Sequence, residues 1–215
     1  MMYRILIVSL PGSPKREVMA GRLSAQHLSW DWVDGVRIAS MDDIPWEERN
    51  ELEAYCVPRL KEAPEYVCRA TGCKRAMLRA VDKAATCAED WVLILQDDAV
   101  LAADFDSKLS ELLGRVPYEA GCVMLHRAGG GVKEVDGWTQ VTGDVRSMTA
   151  FVLRPSFALV MSEALRNWGG EEDRIWVRLA RQGEVILSPS PQLVSCTQQG
   201  SDIIGGIPEL RGYWK

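Results

Sequence analysis

The sequence predicts an α/β domain with a central mixed, mostly parallel sheet flanked by helices. Short β-branched apolar runs recur along the chain, and segments with apolar residues at helical spacing separate them. In "DWVLILQDDAVLAADF", positions 91–95 are apolar without a break, which reads as a strand buried on both faces. Gln96, Asp97 and Asp98 follow at once. They would stand at the carboxyl end of that strand, where open α/β sheets take their ligands.

The elements follow in order. "YRILIVS" at 3–9 is a first strand, ended by the turn residues Pro11, Gly12 and Pro14, with a helix running on to about Leu28. "SWDWVDGVRI" is a second short strand with a turn at Asp34 and Gly35. Residues 40–66, with Pro45, Pro58 and Pro64, form an irregular insert of loop and short helices over the sheet edge. Over 71–88, Cys73, Met77, Val81 and Ala84 make an amphipathic helix that leads into the 91–95 strand. Asp104 is an N-cap candidate for a helix carrying Phe105, Leu109 and Leu113. "AGCVMLH" is a strand, the glycines 129–131 a mobile turn, and "WTQV" a short strand of its own. "MTAFVLRP" is a strand stopped by Pro155, and 156–167 is a helix with Ala158, Leu159, Ser162 and Leu165 inward. A helix over 171–182 and a last strand in "EVILSPSP" complete the pattern.

At 215 residues the chain is read as one domain, 1–215, with a C-terminal tail at 197–215 that either covers a bound ligand or tethers the chain end. Hydrophobic residues at 47% and charged residues at 26% leave no case for disorder. The net charge of −5 argues against a polyanion-binding surface, so nucleic acid is a weak partner hypothesis. The apolar run from Ile5 to Leu10 is too short for a membrane span or a signal peptide, which gives a cytoplasmic reading. Six scattered cysteines read as free thiols, and two histidines, His27 and His126, make a zinc site a poor fit.

Seven stretches, in this order, carry a resemblance: "VSLPGSPKR", "WDWVDG", "TGCKRAML", "LILQDDAVL", "TAFVLRPSFALVM", "EEDRIW" and "SDI". Together they resemble glycosyltransferase family 25, the lipooligosaccharide and collagen galactosyltransferase-like enzymes. That resemblance implies a GT-A fold, a nucleotide-sugar donor, UDP-sugar first, and a Mn2+ or Mg2+ ion near the acidic motif. It also implies an inverting transfer of a hexose to a hydroxyl of a saccharide, lipid-linked glycan, protein or modified base. Relatives carry Glu, Asp, Asp where this chain has Gln96, Asp97 and Asp98. The Gln96 amide offers an oxygen but no charge, which leaves Asp98 as the stronger metal ligand candidate.

A divalent ion on the leaving diphosphate would stabilise its growing charge, and carboxylates at a strand end give such an ion rigid support. Asp97 would then orient ribose or sugar; the plain alternative is a solvated turn capped by both aspartates. In the loop after the first strand, the backbone at Leu10 and Pro11 is placed to approach a nucleotide, and Lys15 or Arg16 to meet phosphate or base. Asp34 either accepts from a nucleoside or closes an Asx-turn. Thr71 is an N-cap candidate whose helix would aim amides at an anion, with Lys74 or Arg75 pairing to phosphate, against ordinary surface charge.

An inverting transfer needs a proton acceptor, for which Asp173 and then Glu172 are the candidates; acids also simply favour a helix start. His126 ends a strand and could contact the ion, a diphosphate or an acceptor, while Arg127 is a further phosphate candidate. Asp144 and Arg146 could shape the acceptor side, and Trp138 and Trp168 could stack on sugar or fill the core. Three alternatives stand beside the transferase: a nucleotidyltransferase, an inactive nucleotide- or carbohydrate-binding module, and nucleic-acid modification by sugar transfer.

Overall fold

The computed structural model describes residues 2–55 and 64–196. The tail expectation at 197–215, including "SDI", and residues 56–63 of the insert lie outside the described residues. The main sheet orders β2 (Asp31–Asp34), β1 (Tyr3–Ser9), β3 (Trp91–Gln96), β10 (Ala150–Leu153), β5 (Ala120–Met124), β11 (Val185–Ser188), β8 (Trp138–Val141) and β7 (Val132–Val135). Only β10 and β8 run against the rest, so the sheet is mixed, with most strands sharing one direction. Two small antiparallel pairs add to it: β4 (Ala99–Leu101) with β12 (Val194–Cys196), and β6 (Ala128–Gly129) with β9 (Val145–Arg146).

Alternation along β3 decides the layers. Val92 and Ile94 face one core, shared with helices α3 (Pro64–Ala85), α5 (Pro155–Arg166) and α6 (Ile175–Arg181). Trp91, Leu93 and Leu95 face the other, shared with α1 (Pro14–Ser24) and α4 (Phe105–Gly114). All five side chains are fully buried. At about 1.5–3 kcal/mol for each large apolar side chain, β3 is one of the strongest anchors in the fold. A third small cluster of Ile44, Leu52, Tyr66 and Val67 packs α2 (Trp46–Tyr55) on the start of α3.

Several sequence expectations change. Helix α3 begins at Pro64, seven residues before the expected start, because proline is well suited to a first helical turn and Tyr66, Val67 and Ala70 extend the buried stripe. Thr71 is therefore mid-helix and buried, and caps nothing. Asp104 precedes α4 but makes no capping bond; Gln26 Oε1 accepts from Phe105 N–H at 3.0 Å instead. Gly129 and Gly131 pack closely on the 143–145 backbone, where a Cβ would lie 2.5 Å from Asp144 O and 2.2 Å from Asp144 N respectively, while Gly130 between them faces open space. Leu159 faces outward at 61% exposure. Trp138 is buried in β8, and Trp168 is packed with its Nε1–H donating to the Glu171 carbonyl. Among the described residues no helix is long and apolar enough to cross a membrane.

Two helical glycines should respond to alanine with opposite sign. Gly72 in α3 faces the Val36 carbonyl, and a Cβ would stand 2.3 Å from that oxygen. Overpacking of about 1–3 kcal/mol should outweigh a helix-propensity gain of about 1 kcal/mol, so Gly72→Ala lowers the urea midpoint. In α1, a Cβ on Gly21 meets nothing within 4 Å, so Gly21→Ala should raise it.

Candidate active site

From β1 the chain passes through α1 to β2 on one side, then returns through α3 to β3 on the other. The loops after β1 and β3 both lead to helices on one face, α1 and α4, while residues 35–42 and the first half of α3 stand over the carboxyl ends of the two strands from the other face and leave a crevice there. That crevice is an open cleft of about 1210 Å³. Ser9, Leu10, Gln96, Asp97 and Asp98 line its sheet side, while residues 35–42 and the first half of α3 line the rest.

The acidic turn is held from several directions. Ser9 Oγ donates to the Asp97 carboxylate across β1 and β3. Ala99, next along, is fully buried, pairs with Cys196 in the β4/β12 ladder, and has its carbonyl bonded by Arg22 at 2.6 Å. Asp97 and Asp98 thus stand on a supported turn at the cleft. Four lining carboxylates, Asp42, Glu65, Asp97 and Asp98, are interspersed with three cations, Lys15, Arg37 and Arg69.

The other expected residues divide. Leu10 and Lys15 line the cleft, whereas Pro11 does not. Arg16 donates to the Ser9 carbonyl at 2.8 Å, pairs with Asp34, and lies over the Trp32 ring at 4.9 Å. Two residues expected to meet a nucleotide are therefore joined to one another, while the adjacent Gly35 lines the cleft. Gly35 has its N–H on the Ser9 carbonyl at 2.8 Å, and a Cβ there would stand 3.0 Å from Leu10 N. Lys74 and Arg75 lie off the cleft face of α3: Lys74 Nζ donates to the Trp168 carbonyl, and Arg75 pairs with Glu48 of α2 at 2.6 Å. Thr71 is covered by packing, and its Oγ1 has no hydrogen-bond partner among the described residues.

Glu172 and Asp173 belong to a second polar region on the neighbouring side of α3, in the one-turn helix Glu172–Arg174. Tyr66 donates to Glu171, which also pairs with Arg174 at 3.1 Å. Glu172 is 4% exposed, and burial, then the adjacent Asp173, pushes its carboxyl up to about 8. Burial and Glu171 push Asp173 up to about 6, and its Oδ1 is buried with no hydrogen-bond partner among the described residues. Burial holds Lys74 below the usual lysine range, against the pull of Glu48, Glu51 and Glu172.

His126 and Arg127 leave the end of β5 on the same rim of the sheet as Asp98, with the start of β10 between. His126 Nδ1 is 2.7 Å from Ser147 Oγ, and burial lowers the basicity of its ring. Arg127 is tied to Gln192 through its N–H at 3.0 Å and through its carbonyl. Among the described residues, no group of three or more His, Cys, Asp or Glu is placed to hold a metal ion. Ser147 escaped sequence reasoning. Its φ of 122° is a left-handed conformation costing on the order of 1–3 kcal/mol for a non-glycine residue, and no side-chain pattern announces it.

No protein-family model matches the sequence, and no curated protein matches it. Among solved structures, the chain is similar to the mannose-1-phosphate geranyltransferase from Thermus thermophilus. The identity is 12%, the match covers 88% of this chain and 74% of that one, and the TM-score is 0.42. It is also similar to a glycosyltransferase involved in the glycosylation of the major capsid of PBCV-1, at 12% identity. That match covers 78% and 67% of the two chains, with a TM-score of 0.38. Likenesses at this level carry no argument about activity.

The buried acids predict a pH dependence of stability. Glu172 titrates near 8 when folded and near 4.5 when unfolded, so the folded state keeps a proton that the unfolded chain releases. Stability should fall as pH rises from about 4.5 towards 8, and Asp173 should add to the fall up to about 6. Urea melts of Glu172→Gln should show a shallower slope and a gain over wild type at pH 8. An unchanged slope would mean that Glu172 is ionised in the folded protein.

Proposed function

We propose that this chain is a family 25-like glycosyltransferase that moves a hexose from a nucleoside diphosphate sugar, UDP-sugar first, to an acceptor hydroxyl with inversion. One observation carries the reading: the cleft at the carboxyl ends of β1 and β3 has the Asp97–Asp98 turn on its sheet side and cations on its walls. Lys15 and Arg37, with Arg69 held by Glu65 beside them, suit an anionic diphosphate, and Leu10 with residues 35–42 suits the nucleoside.

The oxygen donors of Gln96, Asp97 and Asp98 fit a hard cation that takes its remaining ligands from phosphate and water, as Mg2+ commonly does. Asp98 would hold Mn2+ or Mg2+ with Gln96 in support, and when bound the ion supplies positive charge at the leaving diphosphate. Asp97, oriented by Ser9, takes the donor's sugar or ribose hydroxyls.

Asp173 is proposed as the proton acceptor. As the acceptor oxygen bonds to the anomeric carbon, its proton passes to the Asp173 carboxylate. The anomeric carbon–oxygen bond breaks, and its electron pair leaves with the diphosphate. A carboxyl near 6 is ionised at neutral pH yet more basic than an ordinary aspartate, which suits this role.

Asp98→Ala should lose metal-dependent binding of nucleoside diphosphates, read by calorimetry across UDP, GDP and CDP with Mn2+ or Mg2+. Equal binding by wild type and a folded Asp98→Ala would remove this cleft as the donor site. Asp173→Asn should keep donor binding and lose transfer by about 10²–10⁴-fold. In wild type, transfer should rise with pH through about 6 as Asp173 ionises; a flat profile there would exclude it as the base.

A further inference from the structure

A continuous set of hydrogen bonds leads from the proposed donor cleft to His126. Gln96, which lines the cleft, donates its N–H to the Thr149 carbonyl at 2.8 Å. Thr149 donates its own N–H to Ser147 Oγ at 3.2 Å, and that oxygen is 2.7 Å from His126 Nδ1. Only β10 separates the β3 and β5 ends, so His126 stands roughly 10 Å, or two strand spacings, along the rim from Gln96.

The ring is held firmly. Ser147 keeps a φ of 122°, and Trp176 Nε1–H grips its carbonyl at 2.8 Å. The His126 N–H is bonded to the Ala150 carbonyl at 3.2 Å. Strained backbone maintained by surrounding bonds is a recurring mark of a working site. With Nδ1 engaged by Ser147, Nε2 is the ring nitrogen left to meet a ligand, and the residue is only partly buried.

We propose that His126, oriented by Ser147, binds a hydroxyl of an uncharged sugar acceptor and seats it beside the donor cleft. This rests on the glycosyltransferase reading above. A neutral ligand suits the ring, because burial is what lowers its basicity, and the charges on the neighbouring β9 and the Glu172–Arg174 turn are engaged with one another, Arg146 with Asp144 at 3.6 Å and Arg174 with Glu171 at 3.1 Å. Arg127 adds one cation, whose guanidinium donates to the Gly129 carbonyl at 3.4 Å.

The chain has two histidines, so imidazole NMR signals are assignable with a single variant, His126→Gln. Wild-type protein would be titrated with UDP, GDP and CDP, each with Mg2+, and then with a panel of methyl hexosides. A saturable shift of the His126 signal with a methyl hexoside, larger than that with nucleotide alone, is the expected result. Ser147→Gly removes the hydroxyl where glycine relieves the backbone, so the fold is retained. It should raise the acceptor KM at least tenfold while the nucleotide Kd moves less than twofold. If nucleotide binds but His126 responds to no hexoside, this inference alone falls. Tighter binding of hexose 6-phosphates at His126 overturns the neutral-acceptor assignment. If no nucleotide binds, the donor reading falls, and this inference with it.

Discussion

Burial of β3 on both faces is the constraint from which the proposed site follows. Its five apolar side chains alternate between two cores, so the strand cannot slip by one residue without exchanging Trp91, Leu93 and Leu95 for Val92 and Ile94. A fixed register places Gln96, Asp97 and Asp98 at the sheet rim and keeps them there. The Ser9–Asp97 bond and the Arg22 grip on Ala99 then hold the turn itself.

The same rim carries two polar regions of different character. The cleft between β1 and β3 is open and mixes carboxylates with cations, as an anionic ligand and a hard cation together require. Around Asp173 and His126 the groups are more deeply covered, and burial pushes the acids up and the histidine down. Desolvation drives both groups towards neutrality, which suits hydroxyl recognition and proton transfer better than the binding of free charge. Thr149 joins the regions through one peptide unit, so a displacement of β10 would move both.

Most of the fold is legible in the sequence. The strands at β1, β3, β5, β10 and β11 and the helices α5 and α6 follow from apolar period and punctuation, which are local properties. The β7–β8 hairpin is only half legible, though Asp136 and Gly137, both with positive φ, are the kind of pair that a two-residue turn demands. Pro64 reads as loop punctuation, whereas the buried stripe continues through Tyr66 and Val67 and makes it a helix start. The acidic strand end does lie on the rim, because a polarity switch after a doubly buried strand has few other places to go.

What the sequence by itself determined is therefore the alternation of strands and helices, the doubly buried β3, and the position of Asp97 and Asp98 at its end. The tertiary structure alone decided which charges meet. Arg16 and Asp34 are 18 residues apart, Arg75 and Glu48 are 27 apart, and Ser9 and Asp97 are 88 apart. Periodicity acts over a few residues and reports the face on which a side chain stands. Ion pairs and the His126–Ser147 contact depend on how separate elements cross, and on a backbone conformation at Ser147 that only its surroundings impose.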